Sequence, residues 1–191
     1  MGYISEEARP DIVKRYSPER YEHVKNVVEL ADHLARLHRA DSEKVYAAVL
    51  LHDIAKDMKT EDMAAILEAA GIFIDKQYHT GNILHGPCAA VIAKKEYNIE
   101  DEEILNAIYY HSFGRAGMGL TEKIVFIADA AEKGRTYKNV TKIRKLMYNK
   151  LDEAVELSLD GTVYHVLSKG EVLYPVTAAA LEYFKEQRIK D

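Results

Sequence analysis

Residues 50 to 57 read LLHDIAKD, an apolar run that ends in two good metal ligands, His52 and Asp53, with Lys56 about one helical turn further on. The chain has eight histidines, and their positions matter more than their number. His23 shares a face with Val27, Leu30 and Leu34, and His52 continues the face of Val45, Ala48 and Val49. His111 extends the stripe of Ile104, Ala107 and Ile108, while His85 stands just before Pro87. Asp129 interrupts KIVFIADAA one turn after Val125. A lone histidine on an apolar face is usually a core or cap residue bonded to a backbone carbonyl. A carboxylate in a buried helix is costly unless it is paired, hydrogen-bonded or bound to a metal. Several separate helices each direct an imidazole or carboxylate inward, and a shared metal site accounts for all of them at once. Imidazoles and carboxylates suit iron, manganese or zinc rather than calcium. Five or six ligands exceed the needs of one tetrahedral ion, which points to octahedral metal and to two ions bridged by a carboxylate.

The elements that must position these groups are helical almost throughout. Tyr21, Val24, Val27, Val28, Ala31, Leu34 and Leu37 recur at spacings of three and four, an amphipathic helix over residues 18 to 38. Asp41 or Ser42 can cap the next helix, whose VYAAVLLH is apolar on all sides and belongs in the core. Thr60 begins a third helix that Gly71 can end in a left-handed conformation. Residues 72 to 86 have no clean period, and Pro87 is placed at the first turn of a fourth helix running to about Tyr97. Asp101 caps a fifth helix, SFGRAGMG forms a glycine-rich loop, and Thr121 caps a sixth. Residues 140 to 159 read as one long helix, and the tail after Gly161 as a short helix, a Gly170 turn, an extended EVLYP and a last helix from Thr177. Strand signals are scarce, so the predicted class is all-α, one domain over 1–191 with a C-terminal helical extension from about residue 160.

Composition narrows the partners. With 191 residues, 48% apolar and 30% charged, the chain has ordinary globular composition and enough length for a substantial core. Its net charge of −5 includes no basic stripe, which argues against nucleic acid as a partner while leaving room for a local basic pocket. Cys88 is the only cysteine, so neither an internal disulfide nor a thiolate cluster can form, in keeping with a reducing cytoplasm. No apolar run approaches the roughly 20 residues needed to span a bilayer, and MGYISEEARPD is too polar for a signal peptide. The apolar last helix is compatible with a homodimer.

The order His23, His52-Asp53, Asp129 resembles the H…HD…D signature of the HD-domain metal-dependent phosphohydrolases, and His85 and His111 resemble the extra histidines of dinuclear members. RYEHV, LLHDIAK, ILHG, YHSFGRAGM and EKIVFIADAAEKGR are similar to the YqeK-type symmetrical bis(5′-nucleosyl)-tetraphosphatases, a match from about Arg20 to Arg135. Ser112 stands where that pattern has threonine, and Lys133 where it has proline. The resemblance implies a compact HD-domain helical bundle that cleaves diadenosine tetraphosphate into two ADP with a metal-activated hydroxide. His23, His52, Asp53 and Asp129 would hold one divalent ion, and Asp53, His85 and His111 a second, with Asp53 bridging. Iron is the expected metal, with manganese an accepted substitute. Lys56, Arg20, Arg115, Arg135 and Ser112 are candidate phosphate contacts, the two later arginines foremost because guanidinium offers a planar fork. Other readings stay open at this point: another nucleotide substrate (a deoxynucleoside triphosphate, a guanosine polyphosphate or a cyclic dinucleotide), oxygen chemistry, or a metal-holding nucleotide sensor that does not turn over.

Overall fold

A computed structural model describes residues 2–190, and among them ten α-helices and a short 3-10 turn form the fold, with no strand. Local signals set most of the boundaries. Helix α2 (Pro18–His38) begins where Pro18 follows Ser17, whose hydroxyl accepts from the Arg20 amide at 3.3 Å, and it buries Val24, Val27, Ala31 and Leu34. Helix α3 (Ser42–Leu51) is capped by Asp41, which accepts from the Glu43 and Lys44 amides, and six of its ten residues are buried. It is the central rod: α2, α5 (Gly81–Tyr97), α6 (Glu102–Tyr110) and α7 (Leu120–Ala131) all pack on it. Helix α4 (Thr60–Ala69) covers α5 and ends ahead of Gly71 at φ 75°, as its sequence implied. A short helix, α1 (Ala8–Lys14), buries Ile12 in a segment whose polar character concealed it.

Three boundaries differ from the periodicity reading. Helix α5 starts at Gly81, not Pro87, because the Thr80 hydroxyl caps the Ile83 amide; Pro87 lies inside the helix. Gly86 eases this, since a residue before proline that has no Cβ avoids the usual clash. Helix α7 is capped at Gly119, whose amide donates to the Glu122 carboxylate at 3.1 Å, while Thr121 donates instead to Glu103. The long helix expected over residues 140 to 159 is two: α8 (Val140–Leu146) and α9 (Leu151–Ser168). The amides of Asn149 and Lys150 both turn back to the Leu146 carbonyl. Ile143, Met147, Leu151, Ala154 and Val155 keep a spacing of three and four across the break, so the period does not reveal it.

Helix α9 passes through Gly161 without interruption and ends before Gly170 at φ 70°; residues 171 to 174 form an irregular link, and α10 (Pro175–Lys190) returns along α9. The inward side of α10 carries Ala180, Leu181 and Phe184, all buried within this chain. Among the described residues no helix is long and apolar enough to cross a membrane.

Candidate metal centre and polyphosphate cleft

Five helices bring their polar residues to one point. His52 follows the last turn of α3 and Asp53 begins the tight turn after it; His23 comes from α2, His85 from α5, His111 from the end of α6 and Asp129 from α7. Gly86 permits the approach of α5 to α6. A Cβ there would meet the Tyr109 carbonyl at 2.7 Å, so only glycine lets His85 and His111 come together.

The ring orientations are fixed from behind. His52, His85 and His111 aim Nδ1 at the carbonyls of Val49, Gly81 and Ile108, at 2.6, 2.7 and 2.8 Å. A carbonyl accepts only, so each Nδ1 carries the proton and each Nε2 offers its lone pair inward. His23 is held in the same way by a carboxylate, with Glu132 Oε1 at 3.3 Å from Nδ1. The four Nε2 atoms converge on Asp53, whose two oxygens face different partners. Oδ2 lies 3.9 Å from His23 and 3.6 Å from His52, and Oδ1 lies 3.3 Å from His85 and 3.6 Å from His111. His23 Nε2 also lies 3.0 Å from Asp129 Oδ1.

Such a cluster is rich in lone pairs and poor in protons. His85 Nε2 and His111 Nε2 are 2.9 Å apart, although both are acceptors once their Nδ1 atoms hold the protons. His23 Nε2 and His52 Nε2 are buried without a hydrogen-bond partner. Unpartnered acceptors of this kind are costly unless a cation takes their electron pairs. Donor atoms of His23, His52 and Asp129 lie within 4.8 Å of one another, and so do those of His52, Asp53 and His111. The donor set therefore fits divalent transition metal.

Charge follows the same geometry. Burial makes protonation of His52 difficult and pushes its pKa down to about 4, and burial also lowers His85. For Asp53 burial works in the opposite direction and is outweighed by His52, His111 and His85, so its carboxyl stays well below the usual range. Asp129 is lowered too: burial opposes ionisation, but the adjacent His23 imidazole and the Arg135 guanidinium outweigh it.

The cations flank this floor. Arg20 donates from Nη1 to Asp53 Oδ2 at 2.9 Å. Arg135 donates to the Asp129 carboxylate at 2.6 Å and to its backbone carbonyl at 2.9 Å. Lys56 reaches Asn82 Oδ1 at 3.2 Å, and burial lowers its pKa. Ser112 donates to the Asn82 carbonyl at 3.0 Å, so its proton ties the end of α6 to the start of α5. Arg115 stands elsewhere. Its guanidinium makes two 2.6 Å bonds to Glu122, caps the entry to α7 and lines neither cavity at the cluster, because the glycine-rich loop folds away from it.

Sequence reasoning overlooked Glu132 and Arg144. Glu132 is buried; it holds His23 through Oε1 and accepts from the Gly134 amide through Oε2. Arg144 donates to the carbonyls of Ala131, Glu132 and Arg135, clamping the turn that presents Arg135. Both lie in ordinary helix-end or amphipathic contexts; the EKGR string was the one available signal.

Two cavities open from the cluster, of about 520 and 820 Å³. Both are lined by Ser112, Asp129, Arg135, Thr162 and His165, and the larger also by Arg20, Asp53, Lys56 and His85. Cavities of this size accept ligands of nucleotide dimensions.

Known proteins share this architecture. The family profile described as HD domain matches residues 20–134. A Staphylococcus aureus protein named symmetrical bis(5′-nucleosyl)-tetraphosphatase is 39% identical over 94% of this chain and 95% of its own length. A Halalkalibacterium halodurans protein of the same name is 37% identical, over 84% of this chain and 86% of its own. The crystal structure of a Clostridium acetobutylicum protein described as a predicted HD superfamily hydrolase involved in NAD metabolism superposes with a TM-score of 0.91 at 34% identity, covering 96% of this chain and 98% of that one.

Proposed function

The chain belongs to the HD-domain family, within it to the symmetrical bis(5′-nucleosyl)-tetraphosphatases, and we propose that it cleaves diadenosine tetraphosphate into two ADP at the cluster around Asp53. It is a hydrolase. In the balanced reaction the oxygen of water becomes a terminal oxygen of one ADP. The central bridging oxygen leaves as a terminal oxygen of the other, and protons pass to solvent.

The observation that carries the reading is Asp53, one carboxylate facing His23 and His52 with one oxygen and His85 and His111 with the other. We assign His23, His52, Asp53 and Asp129 to one divalent ion and Asp53, His85 and His111 to a second. Iron is the favoured metal because the donors are mainly imidazole, and manganese an accepted substitute. When bound, such ions supply a water that ionises near neutral pH and positive charge against the phosphoryl oxygens.

The chain's own residues then orient the substrate. Arg135, its Nη2 and Nε fixed on Asp129, turns its remaining N–H groups to the polyphosphate. Arg20 and Lys56 offset charge from the opposite side. Lys56 is assigned to hold a proton beside the departing phosphate, since burial makes its ammonium a stronger acid than a free lysine. Ser112 and Asn82 keep that wall in register. Arg115 is omitted from the phosphate contacts because Glu122 engages it.

We further read residues 1–191 as one domain, with α9 and α10 forming its C-terminal wall. A cytoplasmic location accords with Cys88, a buried free thiol. A homodimer has weaker support, because Ala180, Leu181 and Phe184 on α10 are buried against their own chain.

The test is product identification on diadenosine tetraphosphate together with metal analysis of the purified protein. ADP as the single nucleotide product, with iron or manganese bound, is the expected result. ATP plus AMP, or efficient cleavage of another nucleotide with diadenosine tetraphosphate untouched, overturns the assignment.

A further inference from the structure

Helix α9 carries an unexplained glycine. Gly161 stands inside an 18-residue helix, where glycine is the poorest residue after proline. It is neither a cap nor a close contact between helices: a Cβ built there meets nothing within 4 Å. What lies in front of it is the 520 Å³ cavity. The missing side chain therefore keeps a cavity open rather than letting two elements pack.

Two other residues of that cavity are prepared for a planar, polar-edged ligand. Tyr137 is 43% exposed, yet its ring is fixed beside the cavity because its hydroxyl donates to the Ala130 carbonyl at 2.8 Å. Asn139 occupies the N-cap of α8, where an asparagine ordinarily bonds the helix amides, but its side chain makes no capping bond. Its amide is left with one donor side and one acceptor side, the complement of the N6 and N7 edge of adenine. The larger cavity has a separate aromatic wall: Tyr78 meets Tyr174 edge to face at 5.1 Å, and Tyr174 meets Phe113 at 5.1 Å.

We propose that the two cavities are the two nucleoside sites of one dinucleoside tetraphosphate. One adenosine lies in front of Gly161, its base against Tyr137 and Asn139. The other lies against Tyr78 and Tyr174. The tetraphosphate passes between them over Asp129 and Arg135, two of the residues common to both cavities. The central bridge then falls at the metal centre because an arm is held on each side of it. Symmetry of the cut is thus a property of the two walls, and the floor needs only to hold phosphate. This inference rests on the proposed activity and adds the base sites and the origin of the cleavage position.

The probe is diadenosine tetraphosphate with a methylene group in place of its central bridging oxygen, titrated into the metal-loaded protein by calorimetry. Substituting Gly161 by Ala, Leu and Phe fills the first cavity stepwise, and Tyr78→Ala removes the aromatic wall of the second. Stacking of one base on an aromatic side chain contributes about 5- to 150-fold in affinity, so Tyr78→Ala is expected to raise Kd at least ~10-fold, and Gly161→Phe, by filling the first cavity, to do the same. Competition by inorganic tetraphosphate, which has no nucleoside, stays within ~2-fold. Melting temperature of the Gly161 series does not fall, since each replacement is a better helix former. An analogue Kd within ~2-fold of wild type in Gly161→Phe or Tyr78→Ala overturns the proposal, as does an equal loss of tetraphosphate binding. Failure of the underlying activity reads differently: the unaltered protein would then yield no ADP from diadenosine tetraphosphate.

Discussion

The floor of the cleft and its walls obey different constraints. The floor comes from α2, α3, α5, α6 and α7; His52, Asp53, His85 and His111 are buried and His23 and Asp129 partly so, where polar atoms need partners. The wall formed by residues 137–139 and α9 is half-exposed, and its contribution is shape: a glycine with open space, a tyrosine ring, an uncommitted amide. Changes to the floor should therefore alter metal and chemistry, whereas changes to the wall alter which molecule fits and where it is cut.

The largest effect is expected at Asp53. Asp53→Ala removes the one residue that faces both groups of histidines and leaves the Arg20 guanidinium without its carboxylate. Turnover should fall at least ~1,000-fold, with metal content reduced in parallel by elemental analysis. A metal-free Asp53→Ala protein that hydrolyses at the unaltered rate would refute the division between floor and wall at its root.

Acid should weaken the floor before the wall. In the metal-free protein His52 has a folded pKa of about 4 against about 6.5 unfolded, because burial disfavours the imidazolium. Between those values the unfolded chain binds the extra proton, so stability is full above pH 6.5 and declines as pH falls toward 4. The whole shift is worth ~3 kcal/mol. His85 is shifted in the same direction; His23, raised above its ordinary value by Asp129 despite burial, acts with the opposite sign and loses its contribution as pH rises. Asp53 and Asp129, both lowered, matter only below the carboxylate range. Denaturant midpoints of metal-free protein at pH 7 and pH 4.5 measure the slope. His52→Gln should flatten it, and an unchanged slope would mean that another group carries the acid sensitivity.

Glu132 shows why part of the floor was hidden. His52, His111 and Asp129 stand out in the sequence because the residues three and four before each are apolar, and His23 because it shares a face with Val27, Leu30 and Leu34. Glu132 follows Ala131 at the end of α7, where an acidic residue before a lysine and a glycine is unremarkable; its burial arises only when α2 brings His23 against it. The wall was hidden for another reason. Helical spacing survives the break between α8 and α9, and Gly161 resembles a helix stop until the structure carries α9 through it. Polar residues at core positions can thus be read from the chain, while the supports behind them and the empty volume in front depend on tertiary contact. Replacing Glu132 by Ala frees His23 Nδ1 and the Gly134 amide together, and a loss of ~10- to 100-fold in metal affinity is expected. Glu132→Gln keeps one acceptor oxygen, enough for His23 Nδ1 but not for the Gly134 amide as well, and should recover part of that loss. Equal loss in the two variants would show that charge, not orientation, is what His23 requires.

The finest test of the comparison uses two arginines that the sequence made equivalent. Arg135 stands at the join of floor and wall, its guanidinium on Asp129 and its outer side open to both cavities. Arg115 is bound to Glu122, which also accepts from the Gly119 amide, so its duty is to start α7. Removing a charge that contacts the reacting phosphate should lower kcat/KM ~10- to 100-fold in Arg135→Ala. Arg115→Ala should leave kcat/KM within ~2-fold and instead cost ~1–3 kcal/mol of stability, because the buried Glu122 carboxylate loses its cation. Rate and denaturation measured on both variants separate the roles. If Arg115→Ala lowers kcat/KM as far as Arg135→Ala while its stability is unchanged, the glycine-rich loop must close over bound polyphosphate, and the boundary between floor and wall would have to be redrawn to include it.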